Sequence, residues 1–331
     1  MTTAWKQLGS EEARDRWDRM ILTFPEQTVF QTYGWGSYKR ELGWEPMYWL
    51  AEGVQGEPLA MAQSLAYRYP LGTAVVWCRG GPVGDPRLWN QDLRQSIAQA
   101  LRCKRLYMRI SSDRAISKED AAAMAANGWR KPLSPLSTDR SLWIDPSPGE
   151  PDLLAGLSAN WRHNLNRGRK KSSARLWANP SGAELSRVYE SMQAYKGLTQ
   201  QHSREDLDAL FKRLNDKISL FRCDDEQGRL IAFRACAIHG ASAWDLLAAS
   251  APEGRKAYAS YSLLWAVLED CRRKGVKRYD LGGVDPDGVK GVYDFKRGTG
   301  AKDIEFLGEW DWAGSQALRW LANWAIKRKQ P

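Results

Sequence analysis

Apolar and polar positions along the chain repeat in two places. The runs YWLAEGVQGEPLAMAQSLAY (Tyr48–Tyr67) and SLFRCDDEQGRLIAFRACAI (Ser219–Ile238) each set an apolar stretch, a polar turn ending in Gln-Gly, and a second apolar stretch. Each predicts a β-hairpin, because Gly56 and Gly228 can take the positive φ that such turns need. The strand TAVVWCRGGPV, the helix LWNQDLRQSIAQALR and the strand RLYMRIS follow the first hairpin. After the second come the strand SAWDLLAAS, the helix YASYSLLWAVLEDCRRKG and the strand KRYDLGGV. In that second helix Leu263, Leu264, Val267, Leu268 and Cys271 share one face, and Gly275 ends it. One structural unit is therefore used twice.

Each half adds a helix and a last strand, KEDAAAMAANGWRK with DRSLWID and KGVYDFKRGTG with IEFLGEWDW. Mixed strands with interleaved helices predict an α/β, or α+β, layered architecture. The Pro- and Gly-rich stretch DPSPGEPD, 145–152, is the expected boundary between the halves. From Asp152 to Lys171 the spacing of Leu153, Leu157, Trp161 and Leu165 predicts one helix with a basic far face. A second amphipathic helix, SQALRWLANWAIKRKQP, carries Leu318, Leu321, Trp324 and Ala325 and ends in Lys327, Arg328 and Lys329.

With 331 residues the chain is long enough for two hydrophobic cores. Apolar residues at 43% and charged residues at 27% are globular proportions. No run of 18 uncharged apolar residues occurs, and the first residues lack a basic flank before an apolar core, so a cytoplasmic protein is expected. Five separated cysteines without a C-x-x-C pair, and three histidines without ligand-spaced neighbours, predict neither disulfides nor a metal centre. A formal charge of +10 favours anionic partners: nucleic acid, phosphorylated substrates or an acidic membrane surface. Seventeen tryptophans serve cores first, and some can stack on bases or sugars.

Five stretches carry a family resemblance: FQTYGWGSYKRELGWEP, RGGPVGD at 79–85, NWRHNLNRGRKK, YDLGGVD at 279–285, and GVYDFKRGTGAKDIEFLGEWDW. Their order along nearly the whole chain resembles the Fem-type aminoacyltransferases. That resemblance implies two tandem acetyltransferase-like (GNAT) domains, here 1–144 plus 312–331 and 145–311. It implies transfer of an amino acid from aminoacyl-tRNA, a co-substrate rather than a bound cofactor, to an amine of a muropeptide precursor linked to a nucleotide or a lipid. The only helical stretch at the position of the coiled-coil arm of some members is REDLDALFKRLNDK, too short for one, so the chain resembles the armless members. A monomer is expected.

Aminolysis of an activated ester needs orientation and a positive or N–H group for the oxyanion more than it needs a nucleophile on the protein. The resemblance assigns the oxyanion role to Lys296, with Phe295 anchoring its segment, and makes Lys39, framed by Trp35 and Tyr38, a phosphate ligand. Lys196 and Arg204 are the alternatives for a second phosphate ligand. Tyr258 and Tyr261, candidates for substrate hydrogen bonds, open the helix where CoA-dependent relatives hold pyrophosphate on a Gly-rich loop. GRKAYAS lacks that loop's central glycine, which counts against acyl-CoA as donor. Arg162, Arg167, Arg169, Lys170, Lys171 and Arg297 are candidates for following RNA phosphates. Asp113 is offset from the place where several relatives carry an aspartate, and no general base is assigned. The competing expectations are an acyl-CoA-dependent N-acyltransferase, a tRNA-dependent enzyme of peptide natural-product synthesis, and a non-catalytic RNA- or membrane-surface-binding protein.

Overall fold

The computed structural model describes residues 4–196, 202–285 and 290–329. They form two compact units, Met1–Asp139 with Glu305–Pro331, and Arg140–Ile304.

The first unit opens with β1 (Trp5–Leu8), α1 (Ser10–Ile21), α2 (Tyr33–Glu41), β2 (Glu45–Glu52), β3 (Pro58–Tyr69), β4 (Thr73–Arg79) and β5 (Val83–Gly84). It continues with α3 (Gln91–Leu101), β6 (Arg105–Ala115) and α4 (Lys118–Ala126). The second unit holds β7 (Arg140–Ile144), α5 (Glu150–Gly156), α6 (Ala159–Lys171), β8 (Ala174–Leu176), α7 (Gly182–Lys196), α8 (Arg204–Arg213), β9 (Ile218–Asp224) and β10 (Leu230–His239). Then come β11 (Ser242–Ser250), α9 (Pro252–Lys256), α10 (Ala259–Arg273), β12 (Arg278–Gly283) and α11 (Lys290–Arg297). The chain ends in β13 (Lys302–Ala313) and α12 (Gln316–Lys329).

Strands of the first unit run in the order β1-β2-β3-β4-β6-β13, with β5 on β3. All neighbours are antiparallel except β4 and β6. Trp17, Trp49, Trp89 and Trp129 are fully buried there, so tryptophan is first of all core material in this half. In the second unit the order is β7-β12-β11-β10-β9-β8, again with one parallel pair, β11 and β12. Its core includes Leu263, Leu264, Val267, Leu268 and Cys271 of α10, the face that the spacing predicts.

Both hairpins form, β2–β3 and β9–β10, with Gly56 at φ +80° and Gly228 at φ +75°. Two local expectations change. The strand read as closing the first half, β7, pairs with β12 through Tyr279↔Ile144 and Asp280↔Trp143, so 145–152 lies inside the second unit. The single helix expected over 152–171 is two helices. Leu157 leaves α5 in extended conformation, and Ser158 caps α6 by accepting from the Trp161 N–H. The break leaves Leu153, Leu157, Trp161 and Leu165 all buried. Periodicity alone could not detect it, since the apolar spacing runs through the cap. Among the described residues, no helix is long and apolar enough to cross a membrane.

Candidate active site

The site grows from a defect in the second sheet. Parallel β11 and β12 pair only at Ser242↔Arg278, Ala243↔Tyr279 and Trp244↔Asp280. One residue further, the register of β10 on β11 slips: Cys236 faces Asp245 while Ala235 faces Leu247, leaving Leu246 as an extra residue. Such a bulge bends and over-twists its strand. β11 therefore stays with β10 and leaves β12, so the two parallel strands open into a V.

An open V exposes backbone groups that must be satisfied. At the end of β12 the Gly282 N–H donates to Asp280 Oδ1 at 2.7 Å, and the Ser141 hydroxyl donates to the same oxygen. The carbonyls of Gly282 and Gly283 accept from Lys296 Nζ at 3.1 and 2.9 Å. Gly282 stands at φ +78°, where an L side chain is strained, at the end of β12 whose last two carbonyls meet the lysine.

Lys296 is half-buried on α11, and burial pulls its pKa below the usual lysine range, with Asp245 opposing and Arg234 reinforcing that shift. Two of its three N–H donors are used, and the third has no acceptor among the described residues. Beside it lies a fixed charge network. Arg234 grips Asp245 through Nε to Oδ1 at 2.9 Å and Nη2 to Oδ2 at 2.5 Å, and the Tyr279 hydroxyl donates to Asp245 Oδ1 at 3.0 Å. Burial drives the Tyr279 phenol far upward, so it remains a donor.

Phe295 joins an aromatic wall instead of being fully buried. Its ring lies 5.1 Å from Tyr261 and 5.8 Å from Trp161, and the Arg234 guanidinium sits 5.6 Å from its centroid. Trp161 Nε1 donates to the Phe295 carbonyl at 3.0 Å, which ties α11 to α6. The Tyr261 hydroxyl accepts from Asn164 Nδ2 at 3.1 Å. The glycines after α11 allow close approach: at Gly298 a Cβ would meet Trp161 Cδ1 of α6 at 2.9 Å, and at Gly300, with φ +78°, the Gly156 carbonyl oxygen of α5 at 2.4 Å.

Tyr258 occupies the N-cap of α10 with φ +58° and makes no side-chain cap. Arg167 lies 4.4 Å and Lys171 5.8 Å from its ring. Gly168 makes this possible, because a Cβ there would meet Ser262 Oγ at 2.6 Å and the Tyr258 carbonyl oxygen at 2.9 Å. α6 thus lies directly on the α10 N-terminus, where the helix dipole favours anions.

Other candidate residues fall outside this group or are occupied. Arg162 donates to the carbonyls of Leu154, Ala155 and Leu157 at 3.1, 3.2 and 2.7 Å and so finishes α5. Arg169 pairs with Glu150 at 2.8 Å and covers Trp265, and Arg297 pairs with Asp303. Lys170 is exposed. Arg204 is exposed at the start of α8, 3.7 Å from Asp208. Lys196 ends α7, and its side chain lies outside the described residues. In the first unit Lys39 Nζ sits 5.1 Å from the Trp35 ring and 4.3 Å from the Tyr38 ring, and donates to the Tyr38 hydroxyl at 3.3 Å. Arg79, whose guanidinium is 3.9 Å from the Phe30 ring and 5.5 Å from Trp35, shares that aromatic group.

The FemAB family model matches residues 159–327, just over half of the chain and the whole stretch from Trp161 to Lys296. The chain belongs to the FemAB family of aminoacyltransferases. Among solved structures, the crystal structure of FemX matches with a TM-score of 0.81 at 16% identity, over 96% of this chain and 99% of that one. L-PGS from Bacillus licheniformis matches at 0.58 and 13%, over 98% and 99%. A tandem GNAT protein from the clavulanic acid biosynthesis pathway matches at 0.57 and 14%, over 94% and 98%. These likenesses carry the fold, a mixed α/β, GNAT-like architecture. A comparison with curated protein sequences found no match.

Within this FemAB protein, Tyr258, Tyr261, Phe295 and Lys296 come together with Trp161, Asn164 and Arg167. Arg234, Asp245, Tyr279 and Asp280, which complete the group, are not among the residues that the sequence motifs mark as site candidates. A signal was present, since Arg234 interrupts an apolar strand and Asp245 follows a tryptophan in another.

Proposed function

We propose that this protein moves an amino acid from aminoacyl-tRNA to an amine of a peptidoglycan precursor, in the cytoplasm and without a metal. One observation carries the reading: a half-buried lysine ammonium, seated on two carbonyls at the mouth of an open V, has no acceptor for its third N–H among the described residues. The acceptor amine adds to the aminoacyl carbonyl carbon, and the electron pair moves onto the carbonyl oxygen. Lys296 donates its third N–H to that oxyanion, which gains charge only on the way to the transition state. Collapse of the adduct breaks the bond to the ribose oxygen. The proton lost by the amine reaches that oxygen through water or a neighbouring ribose hydroxyl.

The α10 N-terminus, flanked by Arg167 and Lys171, takes a phosphate near the 3′ end of the tRNA. Tyr261 and Phe295 line the approach to the aminoacyl ester. Lys39, on its aromatic seat, takes a phosphate of the acceptor.

The test is transfer from charged tRNA pools, and from labelled acyl-CoA, to a muropeptide nucleotide. Transfer from tRNA supports the reading. Transfer from acyl-CoA alone, or RNA binding without transfer from either donor, contradicts it.

A further inference from the structure

Helix α12 is amphipathic in the reverse sense. Its inward side, with Leu318, Ala322 and Ile326 half-buried, is anchored by polar groups: the buried Asn323 donates to Asp311 Oδ2 at 2.7 Å and accepts at Oδ1 from Arg109 Nη2 at 3.0 Å. The backbone N–H groups of Leu133 and Ser134 donate to the same Oδ1 at 3.1 and 3.2 Å. Arg319 donates to Asp311 Oδ1 at 2.6 Å and to the Lys131 carbonyl at 2.7 Å. The outward side carries Trp320, Leu321 and Trp324, exposed at 61%, 52% and 40%. Trp320 and Trp324 stack on each other in the open, with their planes 18° apart. The loop 131–136, which these hydrogen bonds fasten to the helix, adds Leu133 at 62% and Leu136 at 42% exposure.

A surface helix of a globular protein normally turns its polar side to water. Here a salt-bridged, hydrogen-bonded network holds the helix down, and the tryptophans face out. Burial of these side chains in the protein is therefore not what selects them. Five large apolar residues grouped around one anchored helix form a contact surface for something outside the unit.

We propose that this face lies on the surface of an anionic lipid bilayer. Tryptophan is the side chain best suited to the headgroup level, where its ring meets apolar chains and its N–H meets water. Lys327 and Arg328, both exposed, stand beside the aromatic face, and the Arg328 guanidinium lies 4.0 Å from the Trp324 ring. Basic side chains next to an apolar stripe are the signature of a helix lying in the plane of the interface. The 14 residues of α12 are too few to span a bilayer. A second copy of the chain would bring another body of charge +10 to the same basic pair, which disfavours self-association through this face. Attachment here would bring the enzyme to acceptors carried on lipid, but attachment itself is independent of the transfer chemistry.

The test uses the full chain and no substrate. Wild type is sedimented with vesicles of phosphatidylcholine, with and without phosphatidylglycerol, beside W320S/W324S and K327E/R328E. The expected result is binding to phosphatidylglycerol vesicles with blue-shifted tryptophan emission, about tenfold weaker in W320S/W324S. Each basic side chain removed weakens binding about fivefold, and added salt weakens it further. All four side chains are exposed, so unfolding midpoints stay at the wild-type value. If W320S/W324S unfolds early, K327E/R328E and salt decide. Wild type that stays in the supernatant with phosphatidylglycerol vesicles overturns the proposal. So does undiminished binding by the variants, or a wild-type dimer that W320S/W324S converts to monomer.

Discussion

The two units repeat one plan, and they differ in the parallel strand pair at the centre of each. In the first, parallel β4 and β6 stay in register from Thr73↔Arg105 to Arg79↔Ser111, and β3 pairs with β4 without a slip. In the second, β11 and β12 part after three pairs, next to the bulge at Leu246. The closed pair leaves its backbone groups to each other. The open pair frees carbonyls and amides, and the chain uses them to seat Lys296 and Asp280. The seat of Lys296 therefore belongs to the half whose parallel pair opens, and the proposed chemistry follows it there.

The two lysines differ in the same way. Lys39 rests on π faces, which attract a cation in every state of the reaction and suit a standing contact with phosphate. Lys296 is held by carbonyl dipoles in a partly dry site, and among the described residues its third donor has no acceptor. In the proposed reaction a contact of the first kind would strengthen binding, and one of the second kind would lower the barrier.

Mutations can break or sharpen this contrast. The largest effect is expected from Lys296→Met: kcat should fall about 10²–10³-fold, with tRNA affinity and the unfolding midpoint unchanged. Transfer kinetics on the same preparation as a binding titration checks this. Lys39→Ala should raise KM for the acceptor about tenfold and leave kcat within about twofold, a split that steady-state kinetics reads directly. Gly282→Ala should cost about 1 kcal/mol of stability, because its φ is positive. It should also lower kcat more than it changes any KM, since a Cβ there would stand 3.6 Å from Lys296 Nζ.

The smallest effect is on stability against pH. Because burial lowers the folded pKa of Lys296, the unfolded chain holds a proton that the folded chain has lost, in the window between that lowered value and the ordinary one near ~10.4. Stability contributed by this group therefore rises with pH across that window, while transfer falls. Urea unfolding of wild type against Lys296→Met from neutral pH to pH ~10.5 should show the difference grow in favour of wild type.

Much of the fold is legible in the sequence, because its repeat is written in strong signals: apolar runs of strand length, Gly at both hairpin turns, and a long amphipathic helix in each half. Motif order singles out Phe295 and Lys296, and the start of the long helix singles out Tyr258 and Tyr261, four residues that the structure brings to one place. Other features leave no periodic trace. A bulge is one extra residue in an apolar strand, and Leu246 looks like any other position of SAWDLLAAS. A capping serine does not interrupt leucine spacing, so α5 and α6 read as one helix. Which arginines are free is a tertiary property: Arg162, Arg169 and Arg297 are consumed by carbonyls and carboxylates, although their neighbours in sequence are equally basic. The reversed polarity of α12 is equally hidden, since Arg319 and Asn323 gain their inward role only from Asp311 and Arg109.

The central claim is that the Lys296 ammonium, in its protonated form, carries the developing negative charge. Its most direct test is the single-turnover rate of transfer from charged tRNA in wild type, followed from neutral pH upward. The account predicts that the rate first rises as the acceptor amine deprotonates, then falls on an alkaline limb whose midpoint lies below the ordinary lysine value of about 10.4. A rate that keeps rising, or stays level, through that value would contradict it.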